Sequence, residues 1–217
     1  SPDGNFIMVN NIKKPFSYLV PYYRFPFHVS VLNLDNGLSN LIAEIPIDEV
    51  RPKGFDATRV GIRSVGWRRD TPSELYWVEA NDGGVPKKNV EHRDIIYTLS
   101  PPFDASSQIE LARTKLRFGG ITWGNGKLAL LSERLWSNRN QITSLLDTDS
   151  RKISKILFDR QYDDIYTDPG SPVLTKNKFG KNVVEIKKNS VYMISRGGSP
   201  EGYRPYLSIF NIKTLDT

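Results

Sequence analysis

The chain has 217 residues, 38% hydrophobic and 25% charged, with a net charge of +6 and no cysteine, which is ordinary for a soluble globular protein and excludes disulfides and thiolate zinc sites. Its basic residues are scattered among acids rather than blocked, so they read as a solvated surface and not as a nucleic-acid stripe. No run approaches the roughly 18 apolar residues of a membrane helix, and the start has neither a basic n-region nor an apolar h-region.

In chain order, Ser1-Pro2-Asp3-Gly4 reads as a turn and Phe6 to Val9 as a strand with no earlier strand to pair with. An unpaired edge invites pairing with other chains, so the expectation is a piece of a larger molecule. "FHVSVLNL" (Phe27 to Leu34) alternates apolar and polar residues and ends in the turn Asp35-Asn36-Gly37, the signature of a half-buried strand. "LIAEI" reads as a shorter outer strand. The best helical candidate, "SNLIAEIPIDEV", is interrupted by Pro46, which removes a donor and clashes with the preceding turn.

The same order then recurs: a turn rich in Asp, Asn or Gly, an apolar strand, a strand of period two, and a weaker outer strand. Asp70 to Ser73 precedes "ELYWVE", Asn125-Gly126 precedes "KLALLSE", and Phe179-Gly180 precedes "KNVVEI". "DIIYTL" (Asp94 to Leu99), "QITSLLD" (Gln141 to Asp147) and "PYLSIFNI" (Pro205 to Ile212) follow as third strands, with "IELA" and "KILFD" as outer ones. The repeat is about 59 residues, of the kind that builds propeller blades with loop insertions. The expected fold is all-β, a partial β-propeller of about four antiparallel blades in an open arc. Blade-like units fall roughly at 1–60, 61–118, 119–168 and 169–217. A closed four-bladed ring is the alternative. Trp67 and Trp123 stand just before two of the turns and are expected to pack between neighbouring sheets.

Catalytic patterns are scarce. Gly197-Gly198-Ser199-Pro200-Glu201 lacks the second Gly of a nucleophile elbow, and Pro200 supplies no backbone N–H for an oxyanion hole. Ser199 therefore reads as a loop residue. Gly124-Asn125-Gly126 lacks a third Gly and the βαβ setting of a dinucleotide site. Asp163, Asp164 and Asp168 are expected to cap turns rather than form a glycosidase pair. His28 and His92 are too far apart for a ligand motif, so no metal, cofactor or catalytic residue is assigned. The arginines are different. Arg59, Arg63, Arg68 and Arg69 lie close together in sequence, and Arg117 stands at the matching place one repeat later. Guanidinium forks bind carboxylates bidentately, so Arg59, Arg63 and Arg117 are the substrate-binding candidates, with surface ion pairs as the alternative for each.

Several stretches taken together carry a resemblance. "SPDGNFIMVNN", "PFSYLVPYYRFPFHVSVLNL", "GFDATRVGIRSVGWRRDTPSELYWVEANDGGVPKKNVEHRDIIYTL", "KLRFGGITWGNGKLALLSERLW", "ILFDRQYDDIYTDPGSPV" and "SRGGSPEGYRPYL" resemble, in order, the amino-terminal propeller of the prolyl oligopeptidase family of serine peptidases. The branch is the glutamyl endopeptidase type of chloroplasts and their bacterial relatives. The resemblance implies a parent in which a propeller covers an α/β-hydrolase domain that carries the Ser, Asp and His triad. No position here matches that triad. The expected function is noncatalytic gating and selection of peptide substrates, with the hydrolase domain as a partner in cis. Open blade edges further imply oligomers or strand exchange. The alternative is a stand-alone module that binds a protein or carbohydrate. A bacterial periplasmic setting is slightly favoured over a plastid-like one.

Overall fold

The computed structural model describes residues 1–217. It is all-β apart from two single 3₁₀ turns, Tyr22–Arg24 and Ala105–Ser107. "SNLIAEI" is strand, not helix, and the chain leaves it at Pro46. The chain divides into two compact units, Ser1–Arg113 and Thr114–Thr217.

In the first unit, β1 (Phe6–Ile12), β2 (Phe27–Asn33) and β3 (Ser39–Ile45) form an antiparallel meander in the order β1-β2-β3. A four-stranded sheet follows, β4 (Arg63–Trp67), β5 (Leu75–Ala80), β6 (Asp94–Leu99) and β7 (Ile109–Thr114), hydrogen-bonded in chain order. Alternation gives each strand an apolar side. Val31 of β2 meets Leu75, Trp77 and Leu99 of the second sheet, with Phe103 from the loop after β6. Trp67 sits edge-on to Phe103, ring centroids 5.9 Å apart, in this same core. It fills the space between two sheets, as its place in the repeat implied. The turn Ser1–Gly4 is fastened to the β4–β5 turn: Asp3 N–H donates to the Pro72 carbonyl at 3.1 Å, and the Ser73 hydroxyl donates to the Asp3 carboxylate at 2.5 Å.

The second unit opens with β8 (Arg117–Thr122), β9 (Leu128–Arg134), β10 (Asn140–Asp147) and β11 (Lys152–Gln161), an antiparallel sheet in chain order. The other strands are β12 (Ser171–Pro172), β13 (Leu174–Lys176), β14 (Asn182–Val184), β15 (Ser190–Ser195), β16 (Gly198–Ser199), β17 (Gly202–Tyr203) and β18 (Tyr206–Asn211). They form a three-stranded sheet β12-β15-β18 and two short hairpins, β13-β14 and β16-β17. Leu130, Leu145 and Leu157 pack against Val191, Met193 and Phe210, and the rings of Phe158 and Phe210 lie 4.6 Å apart. Trp123 is buried, and its carbonyl accepts the Val184 N–H at 2.8 Å.

Here the structure departs from the repeat. "KNVVEI" does not pair with β18; its Asn182–Val184 stretch forms a short hairpin with β13, and the partner of β18 is "SVYMIS". Lys188 and Asn189, both at positive φ, make the tight turn that launches β15, a turn that, like Asp70 to Ser73, carries no Gly.

No sheet closes on itself. β1 is an edge whose sole strand partner is β2, and β18 an edge whose sole strand partner is β15, whereas a ring sealed by its first and last strands requires them to share one sheet. The β12-β15-β18 sheet is apolar on both faces: Val191, Met193 and Phe210 face the core, while Tyr192, Ile194, Leu207 and Ile209 are exposed on the other side.

Candidate functional site

Three loops of the first unit converge. The 13–26 loop joins β1 to β2, the 46–62 loop joins β3 to β4, and the 81–93 loop joins β5 to β6. Asp48 N–H donates to the Arg24 carbonyl at 2.9 Å, tying the first to the second. Thr58 N–H donates to the Gly84 carbonyl at 3.3 Å, tying the second to the third. Gly84 is required at that crossing. Its φ is +75°, and a Cβ there would overlap the Thr58 carbonyl oxygen.

Arginine dominates this end. Asp48 is buried, and Arg51 grips its Oδ2 through both Nε and Nη2, the Nε bond being 2.6 Å. Arg24 Nε stands 3.5 Å from the same oxygen. Arg59 donates from Nη2 to the Pro46 carbonyl at 2.8 Å, and its charge also acts on Asp48. Burial pushes the Asp48 carboxyl up, but the Arg51 hydrogen bond and the charges of Arg51, Arg24 and Arg59 outweigh it and hold the group below the usual carboxylate value. Burial lowers Arg59, Asp48 opposes this, and Arg51 and Arg24 lower it further. The same loops carry exposed aromatic rings: Tyr22 and Tyr23 precede Arg24 in sequence, and Phe55 stands in the 46–62 loop.

Arg63, the first residue of β4, is mostly buried and paired with Asp94, the first residue of β6, which is wholly buried. Beside this pair in sequence, Arg93 Nη1 meets Asp82 Oδ2 at 2.9 Å. Arg117 occupies the corresponding first position of β8, in the second unit, and is buried. Arg63 is thus committed to a carboxylate of its own chain, and Arg59 is the candidate that stands in the loop cluster. Arg68 is also internal, forked onto Asp70 at 3.1 and 2.7 Å and reaching Glu74 at 2.9 Å in the β4–β5 turn.

The remaining candidates behave as turn residues. The Ser199 hydroxyl hydrogen-bonds to the Glu201 carboxylate at 3.0 Å and the Gly202 carbonyl at 2.8 Å, inside the β16-β17 hairpin. Asp164 accepts from the Thr167 hydroxyl and the Tyr166 N–H, and these bonds hold its carboxyl below the usual value. Asp168 accepts from Arg160 at 2.8 Å and from the Gly170 N–H at 3.1 Å. Asp163 lies 3.9 Å from Arg139 Nε.

Sequence reasoning missed Arg24, Asp48 and Arg51. The available signals were Asp48 and Arg51 three apart, and Arg24 set inside "PYYRFPF". Neither reveals that the two loops meet.

The architecture is that of an all-β chain built from successive small antiparallel sheets. Comparison with known sequences adds the relationship. The chain is 36% identical over 221 aligned residues to a probable chloroplastic glutamyl endopeptidase of Oryza sativa subsp. japonica, covering 99% of this chain and 24% of the relative. The corresponding Arabidopsis thaliana protein is 36% identical over 99% of this chain and 23% of its own length. The resemblance to glutamyl endopeptidases therefore holds over nearly the whole chain, which spans about a quarter of the curated relatives it matches. No family model matches. Among solved structures, the β-propeller domain of the trilobed protease from Pyrococcus furiosus aligns over 96% of this chain and 66% of that one, with 10% identity and a TM-score of 0.44. A likeness that distant adds no further argument.

Proposed function

We propose that this chain is a noncatalytic β-propeller segment of a glutamyl-endopeptidase-like serine peptidase, in which it restricts access to the active site and helps select peptides. The observation that carries this reading is similarity running end to end through the chain while occupying only a quarter of the relatives' length. A part of that size, whose first unit carries long connected loops, suits a scaffold for recognition. In this reading the triad and its α/β-hydrolase domain lie elsewhere in the same polypeptide. The units at roughly 1–60, 61–118, 119–168 and 169–217 are its successive blades, the third opening with β8 at Arg117; Arg59 belongs to the peptide-selecting loops of the first unit, and Arg63 and Arg117 are framework arginines of their own sheets.

The exposed apolar face of the β12-β15-β18 sheet fits the same picture, because a blade needs a neighbour on each side. When that neighbour is missing, the chain is expected to associate with copies of itself through this face or the free edges. The test is an assay of the purified chain beside a longer polypeptide that includes a hydrolase domain, using glutamyl peptides. The reading expects hydrolysis, blocked by a serine-directed inhibitor, only from the longer protein. Inhibitor-sensitive turnover by this chain alone overturns it.

A further inference from the structure

In the second unit, the face of the β8–β11 sheet that meets the β12-β15-β18 sheet changes character along its length. Register sets Thr122 of β8 beside Leu130 of β9, and Ser132 of β9 beside Thr143 of β10. Thr143 and Gln141 stand in turn beside Phe158 and Arg160 of β11, so these residues share one face. Leu130, Leu145 and Phe158 close on Val191, Met193 and Phe210 at its apolar end. At the polar end the packing opens into a cleft of about 180 Å³, where Thr122, Ser132, Gln141, Thr143 and Arg160 face the segment 168–172, with Leu130, Phe158 and Met193 as its apolar side.

The two sides of the cleft differ in how their polar groups are used. On the 168–172 side, Arg160 Nη1 donates to the Gln161 and Asp164 carbonyls at 2.7 and 2.8 Å, and Nη2 donates to Asp168 Oδ1 at 2.8 Å. The Gly170 N–H donates to the same oxygen at 3.1 Å, and the Ser195 hydroxyl to the Asp168 carbonyl at 3.0 Å. Gly170 lies so close to β15 that a Cβ would overlap the Ile194 carbonyl oxygen. That wall is braced. On the sheet side, the partly buried side chains of Thr122, Ser132, Gln141 and Thr143 make no hydrogen bond within the protein, an arrangement that calls for a partner from outside it. The charged residues lining the cleft, Arg160 and Asp168, are paired with each other, which leaves it neutral.

We infer that this cleft binds an uncharged, hydroxyl-rich ring of the size of a single sugar unit. Hydroxyl and carboxamide side chains each donate and accept, which matches a ligand whose own groups do both, whereas an ion would meet no unpaired charge. Phe158 and Leu130 supply apolar surface for the C–H side of such a ring. Size agrees: at roughly 30 Å³ per water the cleft has room for about six waters, enough for one ring and short of the roughly 300 Å³ at which drug-sized sites begin. The braced wall means that little ordering is left to be done on binding. Asp168 is the one carboxylate lining the cleft, and sugar cleavage requires a pair, so the site binds and does not cleave. None of this depends on the peptidase reading above.

The test is titration of the 217-residue chain with glucose, myo-inositol, glucuronate and N-acetylalanine amide, followed by NMR of the Gln141 side-chain amide and the methyl groups of Thr122, Thr143 and Met193. Glucose or inositol should move these signals saturably at up to about 0.1 M, enough to fill a millimolar site. Glucuronate should bind no more tightly than glucose, and the amide should leave the signals in place. Gln141→Ala and Thr143→Val should each weaken the neutral ligand by about five- to tenfold, the loss of one hydrogen bond. The wild-type signals decide the matter even where a variant does not fold. Signals unmoved by both neutral rings overturn the site. Tighter binding of glucuronate, an equal response to the amide, or affinity that survives both substitutions overturns its assignment to a neutral hydroxyl-rich ligand.

Discussion

The two four-stranded sheets, β4–β7 and β8–β11, share a frame and differ in what is attached to it. Both start with an arginine turned inward, Arg63 or Arg117, and both place a tryptophan at the end of the first strand or just after it, Trp67 or Trp123. Around the first sheet the connections are long, 46–62 before it and 81–93 within it, and they carry the arginine-rich cluster. The corresponding connections of the second sheet are two residues between β7 and β8, and 135–139 between β9 and β10. The frame is what the fold needs; the loops are free to hold recognition chemistry.

The most severe way to break this comparison is at the frame arginine. Asp94→Ala removes the wholly buried carboxylate that Arg63 Nη2 grips and should cost about 3–5 kcal/mol of stability in urea unfolding. Leu131→Ala, in the core of the second sheet's own strand β9, should cost about 2–5 kcal/mol by the same measurement. If either change were nearly neutral, the claim of a shared rigid frame would fail.

The loops should respond more gently. Gly84→Ala forces an unfavourable φ and a clash at the crossing of the 46–62 and 81–93 loops, and should cost about 1–3 kcal/mol, with hydrogen exchange rising in those loops but not in β5 or β6. Acid offers a graded version. The Asp48 carboxyl is held below its unfolded value of 3.8, so its stabilising contribution is fully present above that value and is lost as pH falls through the lower, folded one. Melting of the wild type and Asp48→Asn, compared from pH 7 to pH 2, should therefore converge at the acid end (a range set by ordinary carboxylate titration, roughly pH 2–5). The smallest effect is expected at Arg204→Ala, whose 3.8 Å contact with Glu201 is solvent-exposed on both sides; melting should not change measurably.

Much of the frame was legible in the sequence because it is local. The strands at 27–33, 94–99, 140–147 and 206–211 follow from period-two alternation between turns. Trp67 followed from its place in the repeat. The fourth sheet was harder: "KNVVEI" has the composition of a central strand, but the turn at Lys188–Asn189 hands that place to Ser190–Ser195. The arginine cluster was not legible at all. Arg24, Asp48 and Arg59 come together through the Asp48 N–H bond to Arg24 and the carbonyl of Pro46, contacts between loops that no spacing records. Arg63 was legible as a carboxylate-binding candidate, but neither its strand nor its partner Asp94, thirty-one residues on, was.

The central claim, a recognition frame whose chemistry of bond cleavage is supplied elsewhere, is tested most directly by incubating the purified chain with a glutamyl peptide, beside a longer polypeptide that adds a hydrolase domain. The account predicts that the chain binds the peptide and leaves it whole while the longer protein cleaves it after glutamate. Cleavage by the chain alone, abolished by a serine-directed inhibitor, would contradict it.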